Sequence, residues 1–459
     1  MKDRVKNVLP EGRPWVWIAV VAVLSSTLLW GWQHTKSNSS EVEADNRLSD
    51  CSNARYADIC HQVEIGGASS VRYALSKGTQ EEVVLVDPGG PGLSVLNGHY
   101  PSGLRDLLPD SLKGANLVFI EERWVTKELT HECRSEIETY YKALRSEDLG
   151  NLLAVDEAAH SRAEILATVC DLDSWAWTPS EYAKAVEQIQ VDQGIDFSGF
   201  IGLSFGPNRF SYLDSTEKFD WAWLIHPAPP AGTAGDFLAT RSDGLLNVFQ
   251  DYCGEDCSSI EELDTKFGAS LTAFESESVT IDGRSVDVTN FDLLFSLYGL
   301  GNTDPQWWST LPGMLKDPDS QAETLGSLSD SVWTRTGTTS LSPAHLGYLA
   351  EVCSQYQDWE LTESVKSTTA KSFRILHLPC QTISFNEKRP SAKEPKSNIE
   401  TFVCVAGSEL DPVSSISNAR ELDAKYKNSI LHTNKTLGHS GTQAIADCGK
   451  TYGEGFGRN

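Results

Sequence analysis

The stretch that decides the fold is FSGFIGLSFG, residues 197–206. Its first six residues are apolar or small and predict a buried strand, and a Gly-x-Ser-x-Gly pattern at 202–206 follows at once. Pro207 then suits the first turn of a helix. In a sharp strand-to-helix turn, glycine on both sides lets the backbone close without Cβ clashes, and the turn pushes the serine hydroxyl out above the sheet. Ser204 is therefore a candidate nucleophile; the alternative is a tight turn with an inert serine.

Strands and helices alternate on both sides of this stretch. Short apolar runs at 82–87, 116–121 and 221–226 predict further buried strands. Thr178, Pro179 and Glu181 have the residue types and spacing of a helix start, and we expect that helix to end near residue 194. This alternation predicts a mostly parallel sheet covered by helices, an α/β fold.

The alternation stops after residue 231 and resumes in two later segments, 400–406 and 429–432. We therefore expect a core in two parts, 51–231 and 400–459. A large, mainly helical cap at 232–399 is inserted after the half that carries Ser204.

A serine becomes nucleophilic when a base lies within hydrogen-bond reach and an acid orients that base. Where the serine sits on such a turn, the chain order is serine, acid, histidine. Asp411 follows the strand predicted at 400–406 and is the candidate acid, with Glu409 as the alternative. His439 lies in a Gly-flanked loop after the last predicted strand and is the candidate base.

Four other histidines follow Ser204 in the chain: His226, His345, His377 and His432. His226 and His377 precede the acid, which breaks the expected order. His345 falls in a helical pattern and His432 in a strand pattern, and both patterns favour packing or surface roles.

A tetrahedral intermediate needs two N–H donors for its oxyanion. The amide of Phe205 is one candidate, because it starts the helix after the nucleophile. The second is expected from the loop DPGGPG at 87–92. Pro91 has no N–H, so Gly90 is favoured and Gly89 comes next; the alternative for this loop is a plain turn.

The motifs at 87–92, 202–206 and 407–412, together with Gly438-His439, resemble the α/β-hydrolases of the proline iminopeptidase and tripeptidyl aminopeptidase family (peptidase S33). The secreted actinobacterial members with a TAP-like C-terminal region look most similar. The resemblance extends over about residues 80–450, excluding most of the cap, and implies an α/β-hydrolase fold and a serine exopeptidase that releases short N-terminal units. The resemblance also implies a cysteine pair, Cys353 and Cys380, that flanks the exit of the cap. Cys133, Cys170 and Cys448 stand at places familiar from that family.

The chain departs from the family at 121–127, EERWVTK, where relatives usually carry Asp-x-Arg-Gly-x-Gly-x-Ser. That loop shapes the substrate pocket in relatives, so the substrate class stays open. Glu121 and Glu122 are candidates to bind the amino terminus of a peptide, and the alternative for either is a surface ion pair. Two further functions stay open: an esterase or lipase that acts on envelope lipids or small acyl esters, and a catalytically inactive interaction module tethered to a surface.

Residues 1–32 predict a membrane anchor. Basic residues before position 14 are followed by an apolar run from Trp15 to Trp32 with tryptophans near both ends, and as a helix it would span roughly 27 Å. The positive-inside rule then places the catalytic domain outside the cytoplasm. The alternative is a cleavable signal peptide and secretion, although no small-x-small site follows the run. Residues 33–50 are polar and predict a flexible spacer.

Charge and cysteines narrow the function further. The formal net charge is −26, which repels nucleic acid. All ten cysteines follow the predicted anchor, and an even number in an exported domain predicts disulfides; Cys51/Cys60 and Cys253/Cys257 are close enough to form local loops. No Cys-x-x-Cys or His-x-x-x-His pattern indicates a metal site, and nothing indicates a cofactor. A peptide or an acyl ester is therefore the expected substrate.

Overall fold

The computed structural model describes residues 57–66, 69–92, 94–96, 100–146, 157–213, 217–230, 232–253, 259–274, 276–281, 284–300, 321–332, 343–359, 365–383 and 400–453. The predicted anchor and spacer lie outside the described residues, as do Cys51 and Cys257. Within the described part of the chain, no helix combines the length and the apolarity that a membrane span requires.

A central sheet of eight strands organises the molecule. The described strands are β1 (Ile59–Gly66), β2 (Ser69–Ser76), β3 (Val83–Asp87), β4 (Asn116–Ile120), β5 (Gly199–Leu203), β6 (Trp221–Ile225), β7 (Gly232–Thr233), β8 (Glu277–Ile281), β9 (Arg284–Val288), β10 (Tyr356–Gln357), β11 (Phe402–Ser408) and β12 (Ser429–Asn434). The order across the large sheet is β1-β2-β4-β3-β5-β6-β11-β12. Six neighbouring strands of this sheet run parallel: β4, β3, β5, β6, β11 and β12. Strands β1 and β2 are antiparallel to their neighbours. The mostly parallel sheet was predicted correctly. The hairpin β1–β2 was not predicted, because β1 is an edge strand with exposed polar residues.

Helices cover both faces of this sheet. The described helices are α1 (Tyr100–Leu107), α2 (His131–Arg145), α3 (Glu157–Val169), α4 (Pro179–Gln193), α5 (Gly206–Leu213), α6 (Ala234–Cys253), α7 (Ile260–Ala273), α8 (Asn290–Leu300), α9 (Ala322–Val332), α10 (Pro343–Gln355), α11 (Thr368–Ile375), α12 (Ile416–Lys425) and α13 (Thr442–Gly453). Alternate residues of each buried strand point to opposite faces. Val83 and Leu85 join the apolar cluster with α4, α5 and α12, and Val84 and Val86 join the cluster with α1 and α13.

The start of α4 is the one that the sequence predicts. The Thr178 side chain accepts a hydrogen bond from the Glu181 amide at 3.2 Å, and the Glu181 carboxylate in turn accepts from the Thr178 amide, so both halves of a capping box are present. The helix ends at Gln193 and is capped by Gly194, whose φ of 64° is left-handed. This helix therefore confirms the boundaries read from its capping residues.

Between β6 and β11 lie helices α6 to α11 and two small two-stranded sheets, β7–β10 and β8–β9. These helices form a third apolar cluster, which also takes in α2 and α3. The helices at 131–169 therefore pack with the cap, although the sequence placed them in the first part of the core. Amphipathic periodicity identifies a buried face but does not say which element covers it.

Three disulfides whose two cysteines both lie in the described ranges connect these layers. Cys133–Cys170 joins α2 to the residue after α3, and Cys353–Cys380 joins α10 to the segment after α11. Cys404–Cys448 links β11 to α13. Disulfides were expected from the number of cysteines, and the resemblance implied the pair Cys353 and Cys380, which the structure contains. The other two pairings come from the structure.

Candidate active site

The candidate nucleophile lies on a strained turn between β5 and α5. Ser204 has a φ of 56°, a left-handed conformation that most side chains avoid. Its amide donates to the carbonyl of Ile225 at 2.9 Å, and its carbonyl accepts from the amide of Ala228 at 2.7 Å. The turn is therefore fixed to the end of β6, and Ser204 is half-buried at the carboxyl edge of the sheet.

The two glycines around this turn allow close backbone contacts. A β-carbon on Gly206 would lie 2.4 Å from the carbonyl oxygen of Asp87. One on Gly89 would lie 2.2 Å from the carbonyl oxygen of Leu203 and 2.6 Å from the amide nitrogen of Phe205. The loop after β3 therefore packs directly on the nucleophile turn, as an oxyanion site formed by the two segments requires.

The two glycines predicted as oxyanion donors differ in this loop. The Gly89 amide donates to Oδ1 of Asp87 at 2.9 Å, so this N–H already has an acceptor. Gly90 has a φ of 127°, which glycine tolerates and other residues rarely adopt. Gly89 therefore holds the loop to the end of β3. An oxyanion role for the amides of Gly90 and Phe205 stays a prediction.

The candidate acid is held by four hydrogen bonds. Asp411 is fully buried in the loop after β11. Its Oδ1 accepts from the amides of Val413 at 2.8 Å and Ser414 at 3.0 Å, and its Oδ2 accepts from Nδ1 of His439 at 2.8 Å and from Nδ1 of His226 at 2.5 Å. Burial alone would raise the pKa of Asp411. The charge interactions and hydrogen bonds with the two histidines outweigh burial and hold that pKa well below its usual range.

The candidate base is oriented by this acid. Nδ1 of His439 donates to Asp411, so in the neutral ring Nε2 is the proton acceptor. Among the described residues, Nε2 has no hydrogen-bond partner and is buried. A β-carbon on Gly441, two residues on, would lie 3.1 Å from the side chain of Leu203 and 3.3 Å from that of Ile225. The loop that carries His439 therefore lies over the ends of β5 and β6, beside the nucleophile turn.

His226 is the residue of the site that sequence reasoning missed. The predicted chain order set it aside, but the structure places its ring on Asp411, with 5% of its side chain exposed. It follows β6, the strand next to the one that carries Ser204, and has a φ of 47°. Its place at the carboxyl end of a central strand was the available signal, because the ends of neighbouring parallel strands meet at one edge.

His226, Asp411 and His439 offer donor types that transition metals accept. Both imidazoles, however, point Nδ1 at the same carboxylate oxygen, at 2.5 and 2.8 Å. Ligands of one tetrahedral zinc ion, each at about 2.0–2.1 Å from the metal, stay roughly 3.3 Å apart. The arrangement is therefore a hydrogen-bonded cluster. That the protein uses no metal stays a prediction.

Glu121, one of the two predicted substrate-binding carboxylates, is buried at the end of β4. It accepts hydrogen bonds from the amides of Val95 at 2.7 Å, Leu96 at 3.2 Å and Glu122 at 2.8 Å, and from the hydroxyl of Ser94 at 2.8 Å. Burial raises the pKa of Glu121, and these four donors oppose the rise. The Glu121 side chain therefore holds residues 94–96, which follow the loop at 87–92, by hydrogen bonds.

Glu122, the other predicted carboxylate, belongs to a buried ionic cluster that we call the Arg209 cluster: Arg209, Asp87, Glu122 and Glu351. Arg209 on α5 donates to both oxygens of Glu122 at 3.0 and 2.8 Å, to Glu351 at 3.1 Å and to Asp87 at 3.4 Å. Its guanidinium also lies 5.6 Å from the centroid of the Phe205 ring. The cluster thus lies against the residue that carries one candidate oxyanion donor. Binding of a peptide amino terminus by Glu121 or Glu122 stays a prediction.

The alternative acid and three further histidines make contacts outside the group formed by Asp411, His439 and His226. Glu409, the alternative acid, is partly exposed and pairs with Lys435 at 3.2 Å. Nε2 of His432 bonds the Thr451 hydroxyl at 2.8 Å, within the predicted strand. His345 and His377 are buried in the cap, where burial lowers the pKa of each.

Comparisons with known proteins concern the fold. No protein-family model and no curated protein matches the sequence. Among solved structures, a hydrolase from Pseudomonas aeruginosa PA01 matches 88% of this chain and 100% of its own, at 10% identity and a TM-score of 0.36. A proline iminopeptidase from Mycobacterium smegmatis matches 86% and 98%, at 10% identity and a TM-score of 0.38. The esterase RhEst1 from Rhodococcus sp. ECU1013 matches 86% and 99%, at 11% identity and a TM-score of 0.36.

The class of the fold follows from the chain's own architecture. A mostly parallel eight-stranded sheet has helices on both faces, and a serine stands on a left-handed strand-to-helix turn at its carboxyl edge. A mainly helical insertion precedes the last two strands. The chain has the α/β-hydrolase fold, and the predicted fold class is confirmed.

Proposed function

We propose that this protein is a serine hydrolase that cleaves acyl substrates through a covalent intermediate on Ser204. The observation that carries the proposal is the hydrogen bond from Nδ1 of His439 to buried Asp411, in a loop that lies over the turn of Ser204. An ionised, buried acid fixes the tautomer of the histidine and leaves Nε2 as the base that a serine needs.

The proposed reaction has two halves. Nε2 of His439 takes the hydroxyl proton as Ser204 attacks the substrate carbonyl, and the amides of Phe205 and Gly90 stabilise the oxyanion. Collapse breaks the bond to the leaving group, which receives the proton from His439, and leaves an acyl-enzyme. Water, deprotonated by His439, then attacks the acyl carbonyl. The bond to Ser204 breaks, the acid leaves, and His439 returns the proton to the Ser204 hydroxyl. Asp411 stays ionised and stabilises the imidazolium in both halves.

The proposed substrate is a short peptide, from which the enzyme releases N-terminal units. The motifs shared with the proline iminopeptidase and tripeptidyl aminopeptidase family support this choice. Residues 121–127 depart from the pattern of that family, and Glu121 and Glu122 already have protein donors. Binding of the peptide amino terminus by either carboxylate stays part of the proposal. We further propose that residues 1–32 anchor the protein in the membrane with its catalytic domain outside the cytoplasm.

A substrate screen tests this function. Aminoacyl, tripeptidyl and short acyl-ester fluorogenic substrates are offered to the full-length protein and to Ser204→Ala. We expect the wild type to cleave peptidyl substrates and the variant to lose that activity. Cleavage of esters alone would replace the peptidase proposal by an esterase, and equal activity of both proteins would contradict the serine mechanism.

A further inference from the structure

Two histidines share one oxygen of the candidate acid, and the proposed mechanism uses only one of them. Oδ1 of Asp411 is taken by two backbone amides, so the position of Oδ2 depends on its side-chain donors. Those donors are Nδ1 of His439 and Nδ1 of His226. The two rings stand nearly perpendicular, with their centroids 5.5 Å apart. Neither ring displaces the other from the carboxylate.

The turn that carries His226 is fixed to both halves of the site. The amide of His226 donates to the carbonyl of Ala406 on β11, the strand before Asp411, at 2.7 Å. Ile225, just before His226, and Ala228, two residues after it, hydrogen-bond the two peptide groups of Ser204. A displacement of this turn would therefore move the nucleophile relative to the acid.

Buried side chains hold the same turn from behind. The carbonyl of Pro227 accepts from the side-chain amide of Asn418 at 3.2 Å. The carbonyl of Pro229 accepts from the side-chain amide of Asn208 at 3.2 Å and from the hydroxyl of Tyr356 at 2.6 Å. The turn therefore presents the His226 ring to Asp411 from a rigid base, which preorganisation of a site requires.

From these contacts we infer that His226 is a positioning residue for the proposed hydrolase, which fixes Oδ2 of Asp411 in the place from which it orients His439. The inference rests on the proposed function. The ring donates through Nδ1–H, so a side chain that supplies an N–H at the same place performs the same task. Asparagine is that side chain, because its amide nitrogen stands where Nδ1 does and it tolerates a positive φ.

The matched variants are His226→Gly and His226→Asn. Glycine removes the donor without straining the left-handed backbone, and asparagine keeps the donor. A fluorophosphonate probe that reacts with Ser204 in the full-length protein measures kinact and KI. We expect His226→Gly to lower kinact roughly 10- to 100-fold with KI unchanged, which is the scale for one hydrogen bond to a charged group. His226→Asn is expected to restore kinact to within about threefold of the wild type.

His432→Ala is the control, because His432 lies on β12 and bonds only Thr451 among the described residues; we expect the wild-type kinact. An unchanged kinact in His226→Gly would overturn the inference. So would a His226→Asn variant as slow as His226→Gly, since the ring and not the donor would then matter.

A second measurement does not depend on activity. With 15N-labelled histidine, the wild type is expected to show two Nδ1 protons that are bonded to a carboxylate and lie downfield of the one that His377 shares with the carbonyl of Phe373. In His226→Gly and His226→Asn we expect one carboxylate-bonded proton. A single such proton in the wild type overturns the inference even where a variant fails to fold. A wild type that shows both protons but does not react with the probe contradicts the proposed function instead.

Discussion

Asp411 and the carboxylates of the Arg209 cluster are both buried near the nucleophile turn. They differ in the number of hydrogen-bond donors for each carboxylate. Asp411 is a single carboxylate with four donors, two of them imidazoles. In the Arg209 cluster three carboxylates share one guanidinium. Burial acts to raise the pKa of Asp411 and of Glu122, but the two pKa values shift in opposite directions. The pKa of Asp411 is well below its usual range, whereas that of Glu122 rises to about 8.

The difference shows that burial alone does not set the charge of a carboxylate. Asp411 has enough donors to stay ionised, which a group that stabilises an imidazolium must do. Glu122 is paired with Arg209 but faces Glu351 and Asp87, so one proton relieves the repulsion. The charged state of Asp411 therefore fits the role that the proposed reaction gives it, whereas the Arg209 cluster connects β3, β4, α5 and α10.

The largest expected effect comes from removing the charge of Asp411. Asp411→Asn keeps the size of the side chain but cannot stabilise a histidine cation. We expect the rate of fluorophosphonate labelling to fall about 10³- to 10⁴-fold, the scale seen when such an acid is replaced by its amide. Glu409→Gln, a change at the exposed neighbouring acid, is the control with an unchanged rate. A loss below tenfold in Asp411→Asn would remove Asp411 from the mechanism.

The next largest effect is on stability and comes from removing Arg209, the cation of the Arg209 cluster. Arg209→Met leaves three buried carboxylates without a counterion, and we expect a loss of about 3–5 kcal/mol in the free energy of unfolding, measured by urea denaturation. Lys266→Met is the matched control, because Lys266 pairs with Glu262 at 2.9 Å on the surface; it should cost under about 1 kcal/mol. Equal losses in the two variants would show that the Arg209 cluster does not stabilise the fold.

The pH dependence of stability tests the raised pKa of Glu122. The pKa of Glu122 is raised from 4.5 to about 8 in the folded state. The stabilisation that Glu122 adds to the free energy of unfolding is therefore fully present below pH 4.5 and is lost as the pH rises to about 8. The lowered pKa of Asp411 acts only below its unfolded value of 3.8, so it adds no slope in this window. We therefore expect the wild type to lose stability relative to Glu122→Gln between pH 4.5 and about 8. A difference in melting temperature that does not change with pH would contradict this.

The smallest effect comes from one donor of the Arg209 cluster. The Tyr182 hydroxyl donates to Oδ2 of Asp87 at 2.7 Å in a fully buried site. Tyr182→Phe keeps the ring and removes the donor, and we expect a loss of about 1–3 kcal/mol in urea denaturation. The rate of labelling of Ser204 should stay within about threefold, since the change does not touch Asp411. A stability equal to that of the wild type would mean that Asp87 needs no donor from α4.

The sequence predicted most of the sheet and the start of α4, because buried strands and capping boxes are local patterns. It also predicted that Asp411 and His439 meet, because loops after neighbouring parallel strands share one edge of a sheet. It missed His226, because chain order was used where only spatial order matters. The hydrogen bond from the Gly89 amide to Asp87 and those that Glu121 accepts from residues 94–96 were also missed. Which donor a carboxylate binds depends on distances of a few tenths of an ångström, which no spacing in the sequence encodes.

The most direct test of the account is the site at which a covalent probe reacts. The full-length protein is treated with a fluorophosphonate and digested, and the modified peptide is identified by mass spectrometry. We predict one label, on Ser204, and no label in Ser204→Ala. A label on another residue, or equal labelling of the two proteins, would contradict the central claim that Ser204 is the nucleophile.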